Sequence, residues 1–473
     1  MKANRLVFMI LLLSGAALFP LAAQQTQPDK RPFEEVKAKA ETGDAASQFE
    51  LGRRYHLGES VAKDQAEGAK WFRKAAEQNY ARAQNGLGVC YQKGEGVAKD
   101  AVEAVKWYRK AAEQNLAKAQ SNLGLCYFLG EGVAKDAVEA VKWFRKAAEQ
   151  NYPDAQYGLG FCYVTGEGVT KDDVEAMKWF RKAAEQDDAL AQFKLGLGFY
   201  IGRGVAKDAV EAVKWFRKAA EQNLADAQYY LGRSYVDGDG VAKDAVEGLK
   251  WFRKAAEQNL AEAQRELGDH YAAYAGGGGV AKEEAVKWYR KAAEQNDSLA
   301  QYKLGLCYAR GDGVSKDPVE AVKWVRKAAE QDSSPAQFEL GDYYAKGEGV
   351  ARDATEAVKW YRKAAEQNYT VAQNRLGDHY AKGEGVAKDA VEAAKWYRQA
   401  AEQNYSPAQS ELGTCYEKGE GVTKDYIEAY KWKLLAVGQG LEYDRKALIM
   451  LESKMTADQI AEGQKRARDF KPR

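Results

Sequence analysis

Few residues in this chain could do covalent chemistry, and their spacing decides what they are for. The five cysteines are Cys90, Cys126, Cys162, Cys307 and Cys415, each followed directly by a tyrosine. The first three lie 36 residues apart, so they mark one recurring position. A disulfide needs Cα atoms within about 7 Å, whereas neighbouring packed helices lie about 8–10 Å apart. Equivalent cysteines in stacked elements are therefore expected to stay as five free, mostly buried thiols. His270 and His379 occupy that same position in other copies, and with His56 they are too dispersed to share a metal. No HExxH, paired CxxC or Walker loop occurs. Ser60-Val61-Ala62-Lys63 matches the SxxK nucleophile motif, but its SDN and KTG companions are missing. Glycine loops such as Gly94-Glu95-Gly96-Val97 have the look of phosphate cradles, yet most carry an acid inside, as at Glu95, Glu131 and Asp239. Carboxylate pairs such as Asp100/Glu103 are spaced for helix capping, with nothing to raise one pKa selectively. No catalytic residue, cofactor or metal is assigned.

The elements that carry these residues repeat. Ala81 to Asn115 recurs almost unchanged, and all eleven tryptophans occupy one place in it, from Trp71 to Trp432. The step is 36 residues, with a single 37 between Trp251 and Trp288. A fixed period of this length means stacked hairpins. In the second copy Ala83, Gln84, Leu87, Gly88 and Tyr91 share one face of a first helix, A. Ala104, Trp107, Tyr108, Ala111 and Ala112 follow the i, i+3, i+4, i+7, i+8 pattern of a second, B. Asp100 is the expected N-cap of B, with Glu103 completing a capping box, and the pair recurs in ten of eleven copies. The seventh copy has Ala281 instead and a Gly276-Gly277-Gly278-Gly279 loop. Asn115, Asn151 and Asp187 end helix B in the left-handed region. A glycine at the centre of every helix A, such as Gly88, costs helix propensity of about 1 kcal/mol. It is expected to make room for a large neighbour, the tryptophan of helix B.

Leu87-Gly88…Tyr91 is similar to helix A of tetratricopeptide repeats. The 36-residue step, the GxGVxKD loop and the tryptophan inside helix B resemble the Sel-one-like repeat (SLR) family over residues 44–440. The resemblance implies an all-α, right-handed α-solenoid (superhelix) of eleven helix-turn-helix repeats. It also implies a scaffold that gathers other proteins, with no shared catalytic motif. Cysteine-rich secreted members of that family carry a disulfide in each repeat, and some are reported to bind or cleave β-lactams. This chain lacks the second cysteine per repeat.

Residues 1–23 read as a secretory signal: Lys2 and Arg5, an apolar Leu6–Leu13 run, and Leu21-Ala22-Ala23. A linker and one capping helix fill 24–43, and two capping helices fill 441–473. The expected location is periplasmic or extracellular. The whole chain has 71 basic and 69 acidic residues. Removing the signal takes away two bases and no acid, leaving a formally neutral product with no bulk attraction for nucleic acid. No other apolar run reaches membrane-spanning length. The Arg-Lys pairs after each tryptophan read as a mixed-charge face, balanced by Glu at i+3 or i+4. Oligomeric state is not set by these features.

Helix A varies from copy to copy along one stripe. Counted from its recurrent glutamine, positions +1, +5 and +8 read Ser121/Leu125/Phe128, Tyr157/Phe161/Val164, Phe193/Leu197/Tyr200 and Tyr229/Arg233/Val236 in repeats three to six. Repeats seven, nine and ten place Asp269, Asp342 and Asp378 at +5. One reading is a concave groove that takes a protein or peptide partner by apolar anchors, with an acidic section for its basic residues. The other is packing of the stripe against the next helix A. A β-lactam-binding protein and a cell-wall carbohydrate module, its sugars on stacked aromatics, are the alternatives for function.

Overall fold

The computed structural model describes residues 31–273, 279–440 and 442–472; the expected signal at 1–23 and Gly276–Gly278 lie outside them. Among the described residues there are 25 helices and no strand. Helix α1 (Phe33–Glu41) is followed by eleven A/B pairs, α2 to α23, and by α24 (Glu442–Glu452) and α25 (Ala457–Arg468). Even numbers from α2 to α22 are A helices and odd numbers from α3 to α23 are B helices. The result is an α-solenoid of eleven repeats. The chain divides into two compact units after Gly248, within α13 (Ala245–Glu257).

Each hairpin is closed by backbone conformations its sequence dictates. In repeat two α4 (Ala81–Lys93) ends at Gly94 with φ 77°, and Gly96 follows with φ 75°. A Cβ on Gly96 would stand 1.9 Å from the Gln65 carbonyl oxygen, because this loop rests on the start of the preceding helix B. Ser60 takes the same position in repeat one with φ 60°. The turn from helix B to the next helix A uses a left-handed Asn or Asp, for example Asn115 at φ 65° and Asp187 at φ 63°.

The aspartate caps form, but the reciprocal half of the expected box does not. Asp136 accepts from the Glu139 N–H at 2.9 Å, while its own N–H donates to the Tyr127 carbonyl at 2.9 Å. Glu139 is thereby released to pair with Lys142 at 2.9 Å. The full reciprocal box occurs at α25, between Thr456 and Gln459. In repeat seven Ala281 is no cap at all: α15 (Gly279–Glu294) runs through it.

The helix-A glycine does admit a ring, but not the tryptophan. A Cβ on Gly88 would lie 2.6 Å from the ring of Tyr108, the residue after Trp107. Phe144 meets Gly124, and Phe180 meets Gly160, in the same way. The tryptophan points instead into the packing between repeats: Trp179 joins the cluster of Val141, Ala148 and Leu159 from the repeat boundary before it. Its other face is covered by Lys182, with Nζ 4.1 Å from the ring centroid. This arrangement recurs, at 3.8 Å for Lys74 on Trp71 and 4.0 Å for Lys363 on Trp360. The arginine before that lysine donates to the tyrosine of the next helix A, Arg145 to Tyr163 and Arg217 to Tyr235, both at 2.8 Å. The Arg-Lys pairs thus serve the stack rather than the glutamates that follow them.

A buried amide network joins each B–A–B succession. Gln120 donates to the Ala112 carbonyl at 3.2 Å and to Asn115 Oδ1 at 3.0 Å; its own Oε1 accepts from Gln150 at 2.7 Å. The same set recurs around Gln156 and Gln301. At the N-terminal end Gln48 donates to the Ala40 carbonyl at 3.1 Å, so α1 stands in for a helix B, with Val36 and Ala40 against Leu51 and Trp71. At the C-terminal end Leu448 and Leu451 cover Tyr430, and Phe470 meets the Trp432 ring at 5.3 Å.

Two glycines in α4 should respond oppositely to alanine. Gly88→Ala forces a fully buried ring to move and should lower stability by about 1–2 kcal/mol. A Cβ on Gly86 meets the Phe72 ring at an ordinary 3.7 Å, so Gly86→Ala should gain about 1 kcal/mol from helix propensity. Thermal and urea melts of both variants beside the wild type check the two signs.

Candidate functional site

Helix A carries two kinds of position. Five of them, at −1, 0, +3, +4 and +7 from the glutamine, are nearly constant and serve packing: Ala119, Gln120, Leu123, Gly124 and Tyr127 in repeat three. Positions −2, +1, +2 and +5 change from repeat to repeat.

In the first unit the aromatic part of the +1/+5/+8 stripe is not an open groove. Phe128 and Phe161 are each 4% exposed and pack edge to face at 5.9 Å across successive A helices. Tyr157 is buried against the Phe180 ring at 5.6 Å, and Phe193 lies against Phe216 at 6.0 Å and Tyr230 at 5.5 Å. Tyr200 is half-buried on Phe216 and Tyr230. Leu125, Val164, Leu197 and Tyr229 are half-buried as well. Of the stripe residues singled out here, only Arg233 is exposed, paired with Asp237 at 3.0 Å. The physical reason is that A helices of neighbouring repeats are bridged by side chains, and the largest apolar ones do the bridging.

In the second unit the three aspartates are not a free acidic section either. Asp269 accepts from the Tyr289 hydroxyl at 2.7 Å, Asp342 from Tyr361 at 2.6 Å, and Asp378 from Tyr397 at 2.9 Å. Each tyrosine is the ring that enters the helix-A glycine gap. Where that ring is Phe144, Phe180 or Phe216, position +5 holds Leu125, Phe161 or Leu197 instead. Each aspartate also meets a cation: Lys303 for Asp269, Lys346 at 2.9 Å for Asp342, Arg375 at 3.6 Å for Asp378. In repeats three to five, seven, nine and ten position +5 varies together with the residue after tryptophan, whereas in repeat two Tyr108 faces Val89 at +5 and bonds Gln92 instead.

Outside the stripe, positions −2 and +2 vary as well, and several of them carry buried or half-buried ionisable side chains. In the first unit these positions hold Lys118, Asp154, Lys194 and Asp226. Lys118 is buried, and desolvation lowers its ammonium pKa against the pull of Asp154; burial raises Asp154 in turn. Desolvation likewise depresses Lys194, opposed by Asp226. Asp188 caps α10 (Ala189–Ile201) through the Ala191 N–H at 2.6 Å. Burial, reinforced by Asp154, lifts its carboxyl to about 6. In the second unit Arg265 lies 3.6 Å from Asp297 and 3.4 Å from Glu266, and half-buried Tyr302 and Glu339 interact with each other and with Arg310. Such a face can hold a polypeptide by ion pairs and hydrogen bonds.

The reactive groups are quiet. All five cysteines are free, and burial pushes the thiols of Cys90, Cys126 and Cys162 up to about 12, those of Cys307 and Cys415 to about 11. His56 is buried with Nε2 3.1 Å from Glu95, and desolvation lowers its pKa. His379 Nδ1 lies 2.8 Å from the Glu384 carbonyl. Ser60 is an exposed turn residue. Among the described residues no group of His, Cys, Asp or Glu could hold a metal, and no helix is long and apolar enough to cross a membrane.

The architecture is that of a repeat scaffold built from helical hairpins. Eleven consecutive matches to the Sel1 repeat model cover residues 45–80 through 406–441, so the chain belongs to the Sel1 repeat family. It is similar to a protective antigen of uropathogenic Escherichia coli strains that displays an SLR fold: 39% identity, 93% of this chain, 94% of that one, TM-score 0.80. It is also similar to a Sel1 repeat protein of Oxalobacter formigenes (38% identity, 56% and 100% coverage, TM-score 0.46). Helicobacter pylori cysteine rich protein B matches at 31% identity over 27% of this chain and 92% of that one, with TM-score 0.23. None of the curated proteins matches the chain.

Asp188 makes stability depend on pH. Its folded pKa of about 6 exceeds the ordinary aspartate value of 3.8, so its contribution is fully present below about pH 4 and is lost as pH rises through 6. Asp188→Asn keeps an oxygen for the cap. The variant should melt with the wild type at pH 4 and above it at pH 7.5, by differential scanning calorimetry.

Proposed function

We propose that this protein is an exported scaffold that holds a protein or peptide segment along its A helices. The observation that carries this reading is the division of labour within helix A. Positions needed for stacking repeat almost without change, whereas −2, +1, +2 and +5 each take several residue types across the eleven copies and include half-exposed ionisable and tyrosine side chains. A passive spacer has no need of such variety. Because the large apolar residues of the stripe are enclosed, the partner is charged and polar rather than anchored by apolar side chains, with contacts such as Arg233, Asp226 and Tyr229 in the first unit and Arg265, Tyr302 and Glu339 in the second.

Export rests on the Lys2/Arg5, Leu6–Leu13 and Ala22-Ala23 pattern. It fits the protective-antigen description of the similar E. coli protein, since an antigen must be met outside the cytoplasm. The β-lactam and sugar readings have less behind them: Ser60 is an exposed turn residue, and the stacked aromatics Phe128, Phe161, Tyr157 and Phe193 are covered.

Two measurements test the proposal. N-terminal sequencing of the exported product should start at Gln24; a product starting at Met1 would overturn cleavage. The mature chain, immobilised, should capture its partner from the envelope fraction. Arg233→Glu with Tyr229→Ala should cut capture several-fold at an unchanged melting temperature. Phe161→Ser should instead lower the melt, by about 3 kcal/mol of stability. Undiminished capture by the Arg233/Tyr229 variant would defeat the reading of this face.

A further inference from the structure

Repeat seven breaks the period, and the break leaves a cavity in the second unit. Its helix B, α15, has 16 residues against the usual 13. Gly313 of the next loop rests on the Lys282 carbonyl as Gly132 rests on that of Ala101. Lys282 therefore stands where six other B helices begin with alanine. On α14 (Ala261–Ala273), position +8 is Ala272, small as are Ala309, Ala345 and Ala381 in repeats eight to ten, whereas repeats three to six have Phe128, Val164, Tyr200 and Val236. Between α14, α15 and α16 (Ser298–Arg310) lies a cavity of about 290 Å³.

Its walls differ in kind. Ala272, Ala285, Leu306 and the Tyr289 ring give an apolar floor, and Lys282, Lys303 and Arg310 bring three cations to its edge. Two of these are held by carboxylates: Lys282 by Asp312 at 2.7 Å, and Lys303 by Asp269, which the Tyr289 hydroxyl also fixes. Arg310 is exposed, with no carboxylate within ion-pair distance among the described residues, although its charge is felt by Glu339 and Tyr302. The cavity thus combines an apolar body site with one cation that no close ion pair holds. Convergent polar groups at the mouth of an apolar pocket are the usual form of a small-ligand site.

We propose that this cavity binds a small carboxylate with an aromatic or aliphatic body, the head group on Arg310 and Lys303 and the body on the apolar floor. This site is separate from the A-helix surface discussed above and stands whether or not that surface binds a partner. The half-buried Cys307 thiol lines the same space and reports occupancy.

The test is titration calorimetry of the full chain with 3-phenylpropionate, 3-phenylpropanamide and inorganic phosphate. The acid should bind saturably at one site, its amide about tenfold more weakly, the worth of one charge-assisted hydrogen bond, and phosphate not at all. The acid should also slow iodoacetamide labelling of Cys307, followed by peptide mass spectrometry. Ala272→Phe, which fills the floor, should abolish binding, and Arg310→Ala, at an exposed site that leaves folding intact, should weaken it about tenfold. Gly-Gly-Phe with a free C-terminus separates two sources of the head group: its binding points to a chain terminus and its exclusion to a free acid, both consistent with the site. Absence of acid binding, equal binding of acid and amide, or an unchanged affinity in Arg310→Ala would overturn the proposal.

Discussion

The structure depends on one contact repeated along the chain: the side chain after the tryptophan, a ring in most repeats but Val325 and Lys433 in two, pressed into a glycine of helix A. That glycine lets the helices of a hairpin approach until the ring meets bare backbone. The chemistry of the ring then dictates the surface above it. A phenylalanine asks for nothing further, and Leu125 or Phe161 can cover it. A tyrosine carries a hydroxyl into a place with little water, and leaving it unpaired costs about 1–3 kcal/mol. Tyr108 finds Gln92 at 2.7 Å, and Tyr289, Tyr361 and Tyr397 find aspartates. What looks like an acidic recognition strip is thus the outer end of core packing.

The second constraint is polar. Gln120, Asn115 and Gln150, with their counterparts, satisfy the amides and carbonyls exposed where helix B turns into the next helix A. Arg145 and Tyr163 fasten the other end of the same junction. These pairs are directional, so they fix how neighbouring repeats sit as well as that they adhere. In a solenoid stability is a sum of repeat and nearest-neighbour terms, and here the neighbour terms are nearly identical. Residues outside these contacts are therefore free to change, and helix A does change at −2 and +2, with Lys118, Asp154, Lys194 and Asp226.

The hairpins, their caps and the left-handed asparagines were legible because each rests on local rules: helical periodicity, aspartate before the first turn, glycine or asparagine where φ is positive. The glycine gap was legible as a gap, but not its occupant. Trp107 and Tyr108 are adjacent, and helical periodicity alone cannot say which faces the hairpin partner and which the neighbouring repeat. The capping box failed for a related reason: Asp136 already had an acceptor in the Tyr127 carbonyl, a contact made by loop geometry. The aromatic stripe was ambiguous because an apolar residue on the rim of one hairpin looks the same whether it lines a groove or touches the next hairpin. Covariation between +5 and the residue after tryptophan would have resolved the aspartates, since a buried hydroxyl must have a partner.

Repeat seven shows what such regularity implies. Everywhere else, local propensity, turn chemistry and packing agree, and sequences depart from that agreement chiefly where function or strain requires it. Here several departures coincide. The aspartate cap is gone, helix B is longer, and a lysine stands where six other B helices begin with alanine. Drift alone would tend to fill the resulting hole or line it with neutral residues, because cations beside an apolar void are penalised by desolvation. Instead Asp269 and Asp312 hold Lys303 and Lys282 in place around it, while Arg310 is left to solvent. Charges tethered by buried or half-buried partners keep their positions when a ligand arrives, and that preorganisation is what a binding site needs and a packing defect lacks.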